Sequence, residues 1–328
     1  RLGPINYVFL YSKRKIYLEK NYKKWYCMKE RKNDEWFILN KMSNLNNFKK
    51  KIYSQNGEDG IIEEILNRFG KDIDQTCCEF GAWDGIYLSN VYNLVKNKGY
   101  KALYIEADKK KFNKLKNNFE GKNVITVNKH VSFEGKDKLD EILLENNFNT
   151  NFDLLSIDID GNDYHIFNSL EKFKPKIILI EFNPLIPNEV EFINKKDMKI
   201  NQGSSALSLY NLAKKKGYTL VAATEVNLFF IHNNFVKKII DTQDAKIDDI
   251  VDDKAYRNFI FVGFDGKIFT SKKLKLPWHK IEVDEIKILP HFLQKYPHNY
   301  NFIENKIFRL FRNYLNPKRL IKKFRKLK

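Results

Sequence analysis

Residues that would stabilise a small secreted protein or anchor a membrane protein are scarce in this sequence. Only three of the 328 residues are cysteines: Cys27 and the adjacent pair Cys77 and Cys78, which lies in an apolar segment where free buried thiols are common. This arrangement excludes a disulfide framework, so we expect a reducing compartment. The longest uncharged apolar runs, such as residues 177–180, are far too short to cross a bilayer.

Acidic residues are also few relative to basic ones, with 41 Asp and Glu against 59 Lys and Arg. The resulting net charge of +18 is uneven, because residues 1–53 carry +10, residues 301–328 carry +9 and residues 54–300 carry −1. The central part of the chain is therefore nearly neutral. The net positive charge of the whole chain does not by itself indicate a nucleic-acid-binding protein.

The C-terminal basic segment has apolar residues at helical spacing, and Pro317 divides it into two predicted basic amphipathic helices. Two interpretations remain open: a helix in an anionic membrane interface, or a helix packed on the protein body with a solvated basic face. The same two interpretations apply to the N-terminal basic segment, which is rich in tyrosine. Residues 2–10 are interrupted by Pro4 and Asn6, so we expect no secretory signal there. The expected location is the cytoplasm, with peripheral attachment to the inner face of the membrane under the first interpretation.

Short apolar segments alternate with helical segments between residues 76 and 232. The predicted strands are residues 76–80, 101–105, 124–127, 152–157 and 177–182, and the predicted helices between them are residues 89–97, 109–119, 136–145 and 164–170. A helix at 206–216 precedes two strands, 218–223 and 226–232, whose short connection requires antiparallel pairing. The pattern predicts an α/β fold with a doubly wound, mostly parallel, Rossmann-like sheet that ends in an antiparallel hairpin.

The composition and the predicted elements divide the chain into four segments. Residues 1–52 form a basic aromatic extension, residues 53–234 the main domain, residues 235–300 an extension with a hairpin, and residues 301–328 a basic amphipathic tail. The hairpin is predicted from strands at 259–264 and 267–270 that flank Asp265-Gly266, a strong turn signal.

Acidic and glycine residues follow the first two predicted strands. The segment from Glu79 to Gly85 contains a G-x-x-x-G turn that lets the backbone approach a ligand closely. It is not the dinucleotide fingerprint, because Glu79 and Asp84 would repel a pyrophosphate, whereas they suit an ammonium or sulfonium group. Glu106 ends the second strand, where a carboxylate can accept hydrogen bonds from both hydroxyls of a ribose. Together these residues predict a site for a nucleoside with a cationic tail.

Five motifs, in order and at successive strand ends, resemble the class I S-adenosylmethionine-dependent methyltransferases, and within them the FkbM-like group. They are Ser54-Gln55-Asn56-Gly57-Glu58-Asp59-Gly60, Glu79 to Gly85 with Ser89-Asn90, Ile105-Glu106-Ala107-Asp108, Ile157-Asp158-Ile159-Asp160-Gly161-Asn162-Asp163, and Glu181-Phe182-Asn183-Pro184. The resemblance covers roughly residues 53–231. It implies the class I methyltransferase fold and S-adenosylmethionine as the cofactor.

The resemblance also implies roles for individual residues in binding this cofactor. The methionine part would be held by Glu79, Gly81, Asp84 and Gly85, the ribose by Glu106, and the adenine by Ala107, Asp108 and the region of His130. Asn90 is a further expected cofactor-binding residue. Gln55 and Asp59 belong to a segment that is similar to the cover over the methionine end.

The acids after the fourth strand are the expected seat of reaction. Asp158 and Asp160 follow a buried strand, at the edge where open α/β sheets bind ligands. One of them could remove the acceptor's proton, or both could join Glu181 in binding Mg²⁺, which would lower the pKa of the acceptor hydroxyl. We favour the base or orienting role, because the chain must bend after Ile157 to bring a third ligand near. Residues 160–163 are also typical of a turn that caps the following helix.

From the resemblance we predict an O-methyltransferase that acts on a hydroxyl of a sugar or glycan-related acceptor. Two alternatives stay open. One is an RNA methyltransferase whose basic ends contact phosphates. The other is a non-catalytic module of the same fold that tethers a glycan-assembly complex to the membrane.

Overall fold

The structure, a computed structural model, describes residues 44–240, 246–254, 257–276, 279–286 and 288–315. The chain divides into two compact units at residue 255. The predicted N-terminal extension up to residue 43 and the predicted helix after Pro317 lie outside the described residues. The first unit continues past both limits predicted for the main domain, 53 and 234, and the predicted segment boundaries stay a prediction.

The first unit is built on a seven-stranded sheet. Its strands are β1 (Thr76–Phe80), β2 (Lys101–Ile105), β3 (Val124–Val127), β4 (Leu154–Ile157), β5 (Ile177–Glu181), β6 (Tyr218–Ala223) and β7 (Asn227–His232). The strand order is β3-β2-β1-β4-β5-β7-β6, in which β1 to β5 are parallel and β7 is antiparallel to both of its neighbours. The predicted parallel sheet with a terminal antiparallel hairpin is confirmed.

Helices cover both faces of this sheet, which explains why its strands are almost continuously apolar. One face packs against α1 (Glu58–Phe69), α2 (Tyr92–Lys98), α3 (Lys109–Phe119) and α7 (Val236–Ile239). The other packs against α4 (Leu139–Glu145), α5 (Asp163–Ser169), α6 (Ala206–Lys215) and α8 (Ile247–Ile250). Successive strand residues alternate between the two cores: Cys77 and Ala102 face the first set of helices, Cys78 and Leu103 the second.

The strand order reverses direction between β1 and β4. The chain runs outward from β1 through β2 to β3, then returns to the other side of β1 as β4. At such a point the connections after the two central strands diverge and leave a crevice at their carboxyl ends. The fold thus places the predicted motifs after β1, β2, β4 and β5 at one edge of the sheet.

The opposite edge of the sheet holds a buried ion pair. Asp153 precedes β4 and is fully buried, and Lys176 precedes β5. The ammonium of Lys176 lies 2.8 Å from a carboxylate oxygen of Asp153 and 2.8 Å from one of Asp74. Asp153 also accepts hydrogen bonds from the backbone N–H groups of Asp74 and Thr76. Every charge of this group is therefore paired, as a buried charge requires.

The second unit contains a three-stranded antiparallel sheet and a helix. The strands are β8 (Ile260–Val262), β9 (Ile268–Leu276) and β10 (Ile281–Ile286), and the helix is α9 (Phe302–Leu315). The predicted hairpin around Asp265-Gly266 is confirmed by the pairing of β8 with β9, whereas β10 was not predicted. On α9, Ile303, Leu310 and Tyr314 are exposed. Within the described ranges, no helix has the length and apolar character needed to cross a membrane.

Candidate functional site

A cavity of about 460 Å³ lies at the carboxyl edge of the seven-stranded sheet, within the range typical of small-molecule sites. The ends of β1, β2, β4 and β5 and the start of β7 contribute to its wall. The predicted site residues that line it are Gln55, Glu79, Gly81, Asn90, Glu106, Ala107, His130, Asp158, Asp160 and Glu181. The fold therefore brings most of the predicted cofactor and reaction residues together.

Four predicted cofactor residues do not line this cavity: Asp59, Asp84, Gly85 and Asp108. Asp84 accepts hydrogen bonds from the N–H groups of Ile86 and Tyr87 in its own loop. Asp108 caps α3 through the N–H groups of residues 110 and 111. Gly85 adopts a φ of +73° and packs closely against α3. These three shape the turns around the cavity.

Asp59 supports the segment that precedes Gln55. One of its carboxylate oxygens accepts hydrogen bonds from the N–H groups of residues 52, 53 and 54, at 2.7–2.9 Å, and from the hydroxyl of Ser54. Asp59 itself is buried at the start of α1. Its contact with the cavity is therefore indirect, through the position that it gives to Gln55.

Glu79, on β1, is a buried carboxyl in the wall of the cavity. It accepts hydrogen bonds from the Ser89 hydroxyl at 2.5 Å and from the Asn90 N–H at 2.8 Å. Burial raises the pKa of Glu79 from 4.5 to about 7, although these two hydrogen bonds favour the charged form. A cationic ligand beside it would lower this pKa again.

Glu106 joins two loops at the cavity wall. One carboxylate oxygen accepts a hydrogen bond from the Trp83 N–H at 2.8 Å, and the other from the Asp108 N–H at 2.7 Å. A carboxylate has about four acceptor sites, so each oxygen of Glu106 keeps capacity for a further donor such as a hydroxyl. This arrangement fits the predicted ribose contact.

Gly81 brings the turn after β1 against the turn after β4. It has a φ of +73°, and a Cβ atom at this position would lie 1.9 Å from the backbone oxygen of Asp158. Only glycine allows this approach. The predicted cofactor turn and the predicted reaction turn are consequently in direct backbone contact.

Asp158, Asp160 and Glu181 form one acidic cluster in the cavity. One carboxylate oxygen from each lies within 4.8 Å of the other two. Burial and the neighbouring carboxylates raise the pKa of Asp158 and, more strongly, that of Glu181, and these two carboxyls share a hydrogen bond. Two carboxyls this close are not both charged without an energetic cost, so the pair favours keeping one proton.

Several lining residues were not predicted from the sequence. Trp83 and Tyr87 belong to the loop after β1, and their rings meet edge to face at 5.5 Å while remaining 44% and 58% exposed. The ammonium of Lys111 lies 4.3 Å from the centre of the Trp83 ring. The signal that could have identified this part of the wall was Trp83 inside the G-x-x-x-G turn, with Tyr87 two residues after it.

The connection from β5 to α6 also contributes to the cavity, through Met198 and Asn201. Asn162 holds this connection by donating hydrogen bonds to the backbone oxygens of Asp197 and Ile200, at 3.1 and 3.2 Å. A Cβ on Gly161 would lie 2.9 Å from the same Ile200 oxygen, so the two segments pack closely. The sequence pattern predicts no role for Met198 and Asn201, because the contacts that hold this segment are made across 35 to 38 residues of sequence.

Part of the chain matches a known protein family. Residues 119–258 match a family described as the methyltransferase FkbM domain, a segment that begins after β2 and includes the acidic cluster. This match confirms the predicted resemblance and, with it, S-adenosylmethionine as the cofactor. No curated protein matches the chain in sequence.

Solved structures that resemble the chain include S-adenosylmethionine-dependent methyltransferases of low sequence identity. An enzyme of this kind from Aquifex aeolicus is 14% identical with a TM-score of 0.32, over 52% of this chain and 87% of that one. A TehB-like methyltransferase from Corynebacterium glutamicum is 12% identical with a TM-score of 0.34, over 63% and 98%. The glycopeptide N-methyltransferase MtfA, solved with S-adenosylmethionine, is 11% identical with a TM-score of 0.33, over 55% and 94%.

Proposed function

We propose that this S-adenosylmethionine-dependent methyltransferase, which carries an FkbM methyltransferase domain, transfers the methyl group to a hydroxyl of a sugar or glycan-related acceptor. One observation supports the proposal most directly. The residues that fit the ribose, led by Glu106, and the acidic cluster of Asp158, Asp160 and Glu181 line the same cavity. The cofactor-binding residues and the proton-accepting residues would then lie next to each other, because the turn at Gly81 packs against the backbone of Asp158.

When bound, S-adenosylmethionine supplies an electrophilic methyl group. Glu106 has the free acceptor capacity to bind the ribose hydroxyls, and Glu79 offers a buried carboxyl to a cationic group. Methyl transfer from a sulfonium needs chiefly the alignment of the acceptor oxygen and the removal of its proton. In this proposal Asp158 and Asp160, which line the cavity, orient that oxygen and accept the proton.

The acidic cluster favours an oxygen acceptor. A sugar hydroxyl at neutral pH keeps its proton, so transfer to oxygen benefits from a base that lies beside the acceptor. Exposed aromatic rings support the carbohydrate class, because Trp83 and Tyr87 present flat apolar surfaces at the cavity that C–H faces of a sugar ring can cover.

The experiment is methyl transfer from radiolabelled S-adenosylmethionine to a panel of free oligosaccharides, nucleoside-diphosphate sugars and total RNA. We expect label in a carbohydrate, with turnover lowered roughly 10²- to 10⁴-fold in Asp158→Asn or Asp160→Asn. The matched control is Asp252→Asn, because Asp252 is exposed, does not line the cavity, and accepts a hydrogen bond from the Lys254 N–H that asparagine can also accept. Label in RNA alone, or unchanged turnover in both cluster variants, would contradict the proposal.

A further inference from the structure

The acidic cluster is held in a fixed shape by its own turn. Asp160 adopts the left-handed conformation, with a φ of +57°. The buried carboxylate of Asp163 accepts hydrogen bonds from the N–H groups of Ile159 and Gly161, both at 2.9 Å. The bend after β4 that a third carboxylate ligand requires is therefore present, and Glu181 reaches Asp158 and Asp160 from the neighbouring strand.

A second, independent feature lies in the same cavity. Asn162 and Asn227 are only 2% and 3% exposed, and both line the cavity. The amide nitrogen of Asn227 donates to Glu58 and that of Asn162 to the backbone of residues 197 and 200, which fixes the orientation of each amide. The side-chain oxygen of each has no hydrogen-bond partner among the described residues.

Unpaired buried amide oxygens are unfavourable, at about 1–3 kcal/mol each, so a ligand that satisfies them is expected. Asn227 lies directly opposite Glu181 in the pairing of β5 with β7, and cross-strand partners present their side chains on the same face of a sheet. An amide oxygen therefore accompanies the carboxylates at this end of the cavity.

We propose that Asp158, Asp160 and Glu181 bind one hard divalent cation, with the amide oxygen of Asn227 next to them. The ligands are oxygens only, the set preferred by Mg²⁺, Mn²⁺ and Ca²⁺, whereas structural zinc sites use sulfur and nitrogen. The spacing allows a shared cation, because two ligands of one cation are at most about 4.6–5.2 Å apart for Ca²⁺ and about 4.0–4.2 Å apart for Mg²⁺, and the cluster oxygens lie within 4.8 Å of one another.

In the proposed reaction, on which this role depends, the cation binds the acceptor oxygen and lowers the pKa of its hydroxyl. The acceptor O–H bond would then break with its proton passing to a carboxylate oxygen of Asp158 or Asp160 that does not bind the cation, and the O–CH₃ bond would form as the S–CH₃ bond breaks. Binding of the cation itself needs no acceptor. It can therefore be measured separately from methyl transfer.

The test is calorimetric titration of Mn²⁺, and then of Mg²⁺ and Ca²⁺, into the full chain after dialysis against EDTA. We expect one site per chain in the wild type and at least about tenfold weaker binding in Asp160→Asn. This variant should fold, because Asp160 is exposed and asparagine tolerates the left-handed conformation well. The Asp252→Asn control should bind as the wild type does.

Absence of a binding site for all three cations at millimolar concentration, or equal affinity in the wild type and Asp160→Asn, would overturn the inference. Cation binding lost in Asp160→Asn but without methylation of any carbohydrate would support the metal site and reject the proposed acceptor. The two proposals can thus fail separately.

Discussion

The ribose contact of Glu106 can be tested by Glu106→Gln, which keeps the shape of the side chain and removes its charge. In the wild type, the two carboxylate oxygens accept the N–H groups of Trp83 and Asp108 at 2.8 and 2.7 Å. Glutamine has only one acceptor oxygen. Its NH₂ group would therefore replace one of these acceptors, so that one backbone N–H and a ligand hydroxyl bound at the same oxygen would both lose their acceptor.

The magnitude follows from these contacts. Loss of a hydrogen bond to a charged group costs about 1.5–3 kcal/mol, which corresponds to roughly 10- to 150-fold weaker binding of the nucleoside. One buried N–H left without an acceptor lowers the free energy of unfolding by a further ~1–3 kcal/mol. We therefore expect Glu106→Gln to fold with a lower midpoint and to bind the cofactor weakly.

The assay is isothermal calorimetry with S-adenosylhomocysteine, the product, so that turnover cannot distort the affinity. Asp84→Asn is the matched control, because Asp84 lies off the cavity and asparagine can accept the same two loop N–H groups. We expect its affinity to remain within about twofold of the wild type. Equal affinity in Glu106→Gln and the wild type would refute the ribose assignment.

Three further outcomes are expected. Glu79→Gln should raise the unfolding midpoint at pH 8 but not near pH 4.5. The pKa of Glu79 is 4.5 in the unfolded chain and about 7 in the folded protein, so the wild type loses stability as pH increases across that interval. A difference in midpoint that calorimetry finds to be independent of pH would contradict this. Lys176→Met should lower the midpoint by about 6–20 °C, since an uncompensated buried carboxylate costs about 3–5 kcal/mol, while Lys172→Met, at an exposed pair, should change it little. We also propose that removing residues 301–328 abolishes flotation with anionic vesicles and leaves S-adenosylhomocysteine binding intact. The deletion removes a net charge of +9 and the exposed apolar residues of α9. If the full chain does not float with vesicles at low salt, the proposed membrane binding is wrong.

The sheet was predictable because its strands are buried on both faces and its helices are periodic. β1, β2, β3 and β6 begin and end where the sequence predicts. β10 was missed because charged residues interrupt its apolar pattern, and its pairing with β9 depends on a turn without a glycine signal. Periodicity identifies buried strands better than exposed ones.

The candidate site was predictable only where local sequence decides the geometry. Glu106 and the acids after β4 lie at strand ends, and parallel strands end at one edge of the sheet. Asp84 shows where prediction of the site fails. Its carboxylate could contact a ligand or accept a hydrogen bond from its own loop, and the spacing of the motif does not distinguish these two arrangements. Asn162 and Asn227 enter the cavity through contacts with distant segments, which no local pattern records.

Buried carboxylates at the two edges of the sheet differ in whether they have an oppositely charged partner. At the amino edge, Asp153 has a lysine partner and backbone donors, so its charge is balanced and the pair stabilises the fold. At the carboxyl edge, Asp158 and Glu181 form no ion pair with a lysine or arginine of the described residues. Like charges kept together without a counter-charge are unfavourable for folding alone, and proteins retain such conflicts mainly at functional sites. This contrast supports the proposal of both the reaction and the cation site at the carboxyl edge.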